Sequence, residues 1–262
     1  MFKHIEKKHV RIIGLALAIV AVVVALKAGA HALGWEVLSL NPLLSGIIAA
    51  DVFLMGFLLS GVLTDFKESE KLPGEVATSL EIMFDEATDM AQRASGVTVA
   101  SAAGVLVADV HKLAILLHAW FYKKRHTAEL MTALGALSPH LLALEAPAQA
   151  ASIARIKQEQ HALRRAVVRI HTIRETSFIS SGYLIAEVTT FLLSLALILS
   201  RIEPFFESLF VSSVIVFLLA FLLLLIHDLD NPFGYYEVGS AEEVPLKPLV
   251  DAIARMSAAA KK

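Results

Sequence analysis

The chain of 262 residues contains no cysteine, which excludes disulfides, thiolate metal sites and a cysteine nucleophile. Charge is scarce too: 18% of residues are Asp, Glu, Lys or Arg, against about 25% in an ordinary soluble domain. The net charge of −2 offers no broad basic field, so nucleic acid is not expected as a partner. No Gly-rich phosphate loop, HExxH, GxSxG or repeat of fixed period is present, and no enzyme is expected. What the chain has in excess is hydrocarbon, with 56% hydrophobic residues and a mean hydropathy of +0.67. That excess is gathered into blocks, the mark of an integral membrane protein.

A spanning helix needs about 20 mostly apolar residues. Four stretches qualify, residues 12–33, 44–63, 178–199 and 205–226. The first has basic residues ahead of it, but its apolar run outlasts the roughly 7–15 residues of a signal-peptide core and is expected to be a true span. Lys3, Lys7, Lys8 and Arg11 precede it, the loop 34–41 carries no Lys or Arg, and the loop between the last two spans carries only Arg201. The segment between the second and third spans is rich in both, as is the tail with Lys247, Arg255, Lys261 and Lys262. The positive-inside rule then puts both termini and the central region in the cytoplasm, with the inner membrane as the site in a bacterium.

Residues 97–121 resemble a fifth span, but Asp109, His111 and Lys112 stand at their centre. Asp or Lys there costs about 2.5–3.5 kcal/mol, and a fifth crossing would carry the basic tail outside. A buried cytoplasmic helix is the expectation. Residues 74–95 and 149–177 also read as helices, the latter from Ile153, Ile156, His161, Leu163, Val167, Ile170 and Ile173. Ser138-Pro139 and Ala146-Pro147 are expected to break helices, and no strand is expected. The fold class is all-α: four transmembrane helices, a large cytoplasmic helical region at about 74–177 and a tail at 227–262, in one unit over 1–262.

The second span carries Phe53 and Phe57 one turn apart and Ala49 one turn earlier, all on one face. Gly56 and Gly61 leave room for a neighbouring helix. Repeated around an axis, such a face makes a dry constriction that gates by dewetting; the same spacing also suits ordinary packing. Asp51 should point away from that face, with Glu187 as its candidate partner, although in a pore vestibule it would favour cations. Lys27 and His31, at the outer end of the first span, read as snorkelling anchors. The histidine set completes no metal site. Arg155, Arg164, Arg165, Arg169 and Arg174 read as a solvated or inter-subunit face, or as an anion-concentrating one if they line a vestibule. After the last span come Asp228 and Asp230, then Asn231-Pro232-Phe233-Gly234, where proline and glycine stop the helix in a turn at the membrane surface.

Two blocks of these residues resemble bestrophins. Phe53-Leu54-Met55-Gly56-Phe57 with Thr64, followed by Leu72-Pro73, resembles the bestrophin neck helix, and Asn231-Pro232-Phe233-Gly234 with Pro245-Leu246 resembles the segment after its last span. The resemblance implies a homopentameric ring around a passive, chloride-type anion pore, with Ala49, Phe53 and Phe57 as the neck. Its partners would be the lipid bilayer, small inorganic ions and further copies of the chain. Ala49 is smaller than the branched residue usual at the first neck ring. The acidic calcium-holding cluster of animal bestrophins is reduced here to Glu237, with Glu242 and Glu243 further on. Calcium needs six to eight oxygen ligands, so no cofactor is expected. A non-conducting scaffold of the same fold and a cation-permeable channel stay open as alternatives; an active transporter is less favoured, since no inverted repeat with broken helices is visible.

Overall fold

The computed structural model describes residues 7–39, 41–93, 97–144, 150–176, 180–236 and 243–259. In chain order they form α1 (Lys7–Ala32), β1 (Leu38–Ser39), α2 (Pro42–Ser69), α3 (Leu72–Arg93), α4 (Val97–Phe121), α5 (Thr127–Leu144), α6 (Ala150–Glu175), α7 (Ser180–Ile198), β2 (Ser200–Arg201), α8 (Phe205–Leu229) and α9 (Lys247–Ala259). Backbone packing divides the chain into two compact units. The first comprises residues 1–66, 177–232 and 238–242, and the second residues 67–176, 233–237 and 243–262. Among the described residues, α1, α2, α4, α7 and α8 are long and apolar enough to cross a membrane, and the protein is an integral membrane protein.

In the first unit α1 packs on α7 and α8, and α7 on α8. Val23, Leu197 and Val216 form the buried centre, with Val20, Ile48, Ile198 and Ile215 against it. These helices are apolar on all sides, as lipid-facing segments must be. The start of α2 is set locally. Pro42 occupies its first helical position, where a missing N–H does no harm, and Asn41 Oδ1 accepts the Leu44 N–H at 2.9 Å. The chain leaves α1 through Gly34 at φ 70°, with the Trp35 N–H reaching back to the Ala30 carbonyl. Only glycine takes that left-handed turn without strain.

β1 pairs with β2 in parallel, Leu38 opposite Ser200 and Ser39 opposite Arg201. This corrects the expectation of no strand; two residues are too short to show alternation. A second correction lies beside it. Lys27 does not snorkel: it is fully buried, and its Nζ donates to the carbonyls of Leu197 at 2.7 Å and Ser200 at 2.8 Å. The last carbonyls of a helix lack intrahelical donors, so the end of α7 at Leu197 and the start of β2 at Ser200 supply the acceptors that keep this ammonium inside. Glu36 stands 3.7 Å away, and also accepts from or pairs with His31 at 2.7 Å.

In the second unit α3 packs on α4, α6 and α9, and α4 also packs on α5 and α9. Leu106, Val110, Leu113, Leu117 and Trp120 of α4 are buried. The polar residues at the centre of α4 find partners. Asp109 takes Lys112 at 3.2 Å and His140 of α5 at 3.0 Å, while His111 meets Ser257 of α9 at 2.9 Å. Pro139 does not break α5, contrary to expectation. A proline removes one helical hydrogen bond, and in the turn before it buried Gln160 of α6 donates to the Leu134 carbonyl at 2.6 Å and the Ser138 hydroxyl at 3.2 Å. Ala146-Pro147 lies outside the described residues. The tail forms a further helix, α9, with Leu249, Ala252 and Met256 buried on one face and Val244 and Leu246 buried ahead of it.

Candidate functional site

The helix α2 has two faces of opposite fate. Asp51, Met55, Leu58 and Val62 recur at alternating steps of four, three and four, and all are buried. On the other side Ala49, Phe53, Gly56, Phe57, Ser60 and Thr64 are exposed, with Phe53 at 75% and Phe57 at 62%. Apart from its own stretch of α2, no described atom lies within 4 Å of the point a Cβ would occupy at Gly56. The close helix approach expected there is therefore not made within one chain. Gly61 is half-buried on the boundary between the two faces.

Asp51 is 4% exposed and its Oδ1 accepts from the Thr189 hydroxyl of α7 at 2.5 Å. Glu187 is exposed and is not the partner. Residues two apart on a helix stand some 200° apart around its axis, so when Thr189 faces α2 Glu187 cannot. Oδ2 of Asp51 is buried without a hydrogen bond.

Further along α2, Glu68 falls on the exposed side, eleven residues after Phe57 and so about three turns on. Within the second unit the Arg169 guanidinium forks onto its carboxylate at 3.1 and 2.9 Å. Those hydrogen bonds hold the Glu68 carboxyl below its ordinary range. Arg169, Arg165, Glu68 and Glu75 line a cavity of about 630 Å³ beside the start of α3. Arg164, Arg165, Arg169 and His161 line a neighbouring one of about 460 Å³. One face of α6 is thus set with cations that can attract small anions. The Glu68–Arg169 pair was not anticipated; its members lie 101 positions apart, and only the basic periodicity of α6 hinted at it.

The turn after α8 lies where the sequence places it. α8 ends at Leu229, the Asp230 N–H returns to the Ile226 carbonyl at 3.1 Å, and Pro232 and Phe233 form the turn. Asp228, Asp230 and Asn231 are half-buried and each has an interaction partner. Pro232 and Gly234 are buried, and in the second unit Phe233 is fully buried with its ring centre 5.9 Å from that of Phe121. Among the described residues no three His, Asp or Glu side chains gather as a metal site. Glu237 and Glu242 lie outside the described residues.

No family model matches the chain, and no curated protein does. Solved structures do. A bacterial bestrophin homolog from Klebsiella pneumoniae matches with a TM-score of 0.70 at 16% identity, over 94% of this chain and 96% of that one. A point variant of a bestrophin homolog from the same organism gives 0.70 at 16% identity, over 93% and 95%. A structure described only as a membrane protein gives 0.69 at 16% identity, over 94% and 95%. At this identity the likeness is one of fold: the chain has the fold of bacterial bestrophin homologs.

Proposed function

We propose that this protein is a bestrophin-like passive channel for small inorganic anions such as chloride, built as a ring of identical chains, most simply five. The observation that carries this reading is the exposed face of α2. Ala49, Phe53 and Phe57 form an apolar stripe that the described residues leave largely exposed, and Gly56 beside them leaves room for a second backbone. Placed around an axis, the stripe becomes a hydrophobic neck that gates by dewetting. On this reading α1, α2, α7 and α8 span the membrane, and α4 lies in the cytoplasm with the rest of the second unit. Both termini are cytoplasmic, and the two units work as one channel subunit without catalysis. The basic face of α6 would concentrate anions on their way to or from the neck.

One observation favours a cation-permeable variant of the same channel: Glu68 lies on the same side of α2 as the phenylalanines. Arg169 offsets its charge, which keeps the anion reading ahead. Calcium has no part in this proposal, and the tail acts structurally. The test pairs the mass of the purified protein in mild detergent with chloride flux from liposomes. A closed ring that conducts, and conducts faster with Phe53→Ala and Phe57→Ala combined, is the expected result. A monomer or dimer overturns the ring. A ring that passes no ion in either form overturns the channel and leaves a scaffold of this fold.

A further inference from the structure

Two cations of the second unit stand over one tyrosine ring. Lys123 Nζ lies 3.8 Å from the centre of the Tyr236 ring, and the Arg174 guanidinium lies 5.6 Å from the same centre and 4.9 Å from that of Trp120. The two charges are therefore no farther apart than the two Tyr236 distances combined, about a Debye length at physiological salt. Arg174 donates to the Trp120 carbonyl at 3.3 Å, and its Nε is buried with no acceptor. Among the described residues neither cation has a carboxylate within ion-pair distance. The charge of Glu243 acts on Tyr235: burial first and Glu243 second push that phenol up. Among the described residues the pair therefore has no counter-anion at ion-pair distance.

The backbone is bent to make the cluster. Lys123 sits at φ 51° at the end of α4, with its N–H on the Trp120 carbonyl and that of Lys124 on the Ala119 carbonyl. This is the motif that ends α1, but there Gly34 takes the left-handed position. Lysine in that position is strained, and such strain gathers at binding sites. Along the sequence the cluster adjoins two apolar helices. Arg174 comes six residues before α7 begins, and Tyr236 seven residues after α8 ends. Both α7 and α8 are long and apolar enough to cross a membrane, and a spanning helix ends at a membrane face. Exposed lysines beside tyrosines are the side chains that settle at such a face.

We propose that Lys123 and Arg174, 3.8 and 5.6 Å from the centre of the Tyr236 ring, bind the phosphate of an anionic lipid headgroup, with Lys124 at the rim. The proposal goes beyond ion conduction and does not rest on it. Its test is lipid binding by the full chain in detergent, titrated with phosphatidylglycerol, phosphatidylcholine or inorganic phosphate and read by native mass spectrometry. Phosphatidylglycerol should bind more tightly than phosphatidylcholine, and Lys123→Gln and Arg174→Gln should each weaken it about fivefold while leaving phosphatidylcholine unchanged. Millimolar phosphate should not displace it. Equal binding of the two lipids, or no loss in either variant, overturns the site. Displacement by inorganic phosphate would make it a site for free anions and overturn the lipid assignment. Should Arg174→Gln fail to fold, Lys123→Gln decides, since that side chain is exposed.

Discussion

Met55 and Phe53 stand two residues apart on one helix, both large and apolar, yet the first is fully buried and the second 75% exposed. Hydrophobicity does not separate them; helix geometry and what lies alongside do. The Met55 face is closed by the chain itself, with Asp51 tied to Thr189 one turn away. The Phe53 face is left for something outside the chain. In a membrane, exposure of phenylalanine is compatible with lipid as readily as with a pore, because lipid tails are as apolar as the side chain. What separates these cases is the company the face keeps. Gly56 would be wasted on lipid, since a small residue there serves the close approach of another helix.

The largest effect should come from breaking the inner face. Met55→Ala removes a side chain with no exposed surface and is expected to cost about 2–5 kcal/mol, seen as a lower unfolding temperature in detergent. Phe53→Ala with Phe57→Ala should leave the unfolding of the dissociated chain within about 0.5 kcal/mol per site, while increasing chloride flux. Equal losses of stability from both faces would erase the distinction between them.

A smaller effect is expected at Asp51, which shares the inner face with Met55. Thr189→Val strips Asp51 of its hydroxyl donor and should cost about 1–3 kcal/mol. Asp51→Asn keeps an acceptor for Thr189 and should cost less. Neither should move the reversal potential in a salt gradient, because the side chain points away from the exposed stripe. A shift in that potential with Asp51→Asn would place the carboxylate on the ion path and favour the cation-permeable reading.

How much of this was legible in the sequence depended on distance along the chain. The two faces of α2 follow from the 3.6-residue period, and the end of α8 from Pro232 and Gly234, because both are local signals. Thr189 as the partner of Asp51 was not legible: choosing it over Glu187 requires the rotation of α7 about its axis, which an all-round apolar helix does not encode. Lys27 failed for a related reason. A lysine near a helix end reads as an anchor until the free carbonyls of another helix are known to lie beside it. α9 was missed although Leu249, Ala252 and Met256 have helical spacing, since three positions in a short tail with charged flanks compete with a loop. Pro139 was read as a break because proline lacks the helical N–H, while the burial of Leu130, Leu134, Leu137 and Leu141 that holds α5 together depends on other helices.

The smallest effect on stability, and the sharpest on the comparison, should come from the far end of the exposed side of α2. Glu68 is half exposed, and solvent screens its pair with Arg169, so Arg169→Gln should cost under about 1 kcal/mol. Its electrical consequence is larger. The hydrogen bonds from Arg169 depress the Glu68 pKa, so the pair is present at neutral pH and is lost only as the pH falls through that lowered value. Without Arg169, Glu68 should titrate nearer the ordinary carboxylate value of about 4.3 and remain a bare negative charge at pH 7. If the side of α2 that carries Phe53 and Phe57 lines the ion path, Arg169→Gln should shift the reversal potential toward cations at pH 7. The shift should vanish on acidification below about pH 4 or in the double variant with Glu68→Gln, since both remove the uncovered charge. An unchanged reversal potential in Arg169→Gln would put Glu68 off the path, and would confine the ion-facing stripe to the apolar residues from Ala49 to Phe57.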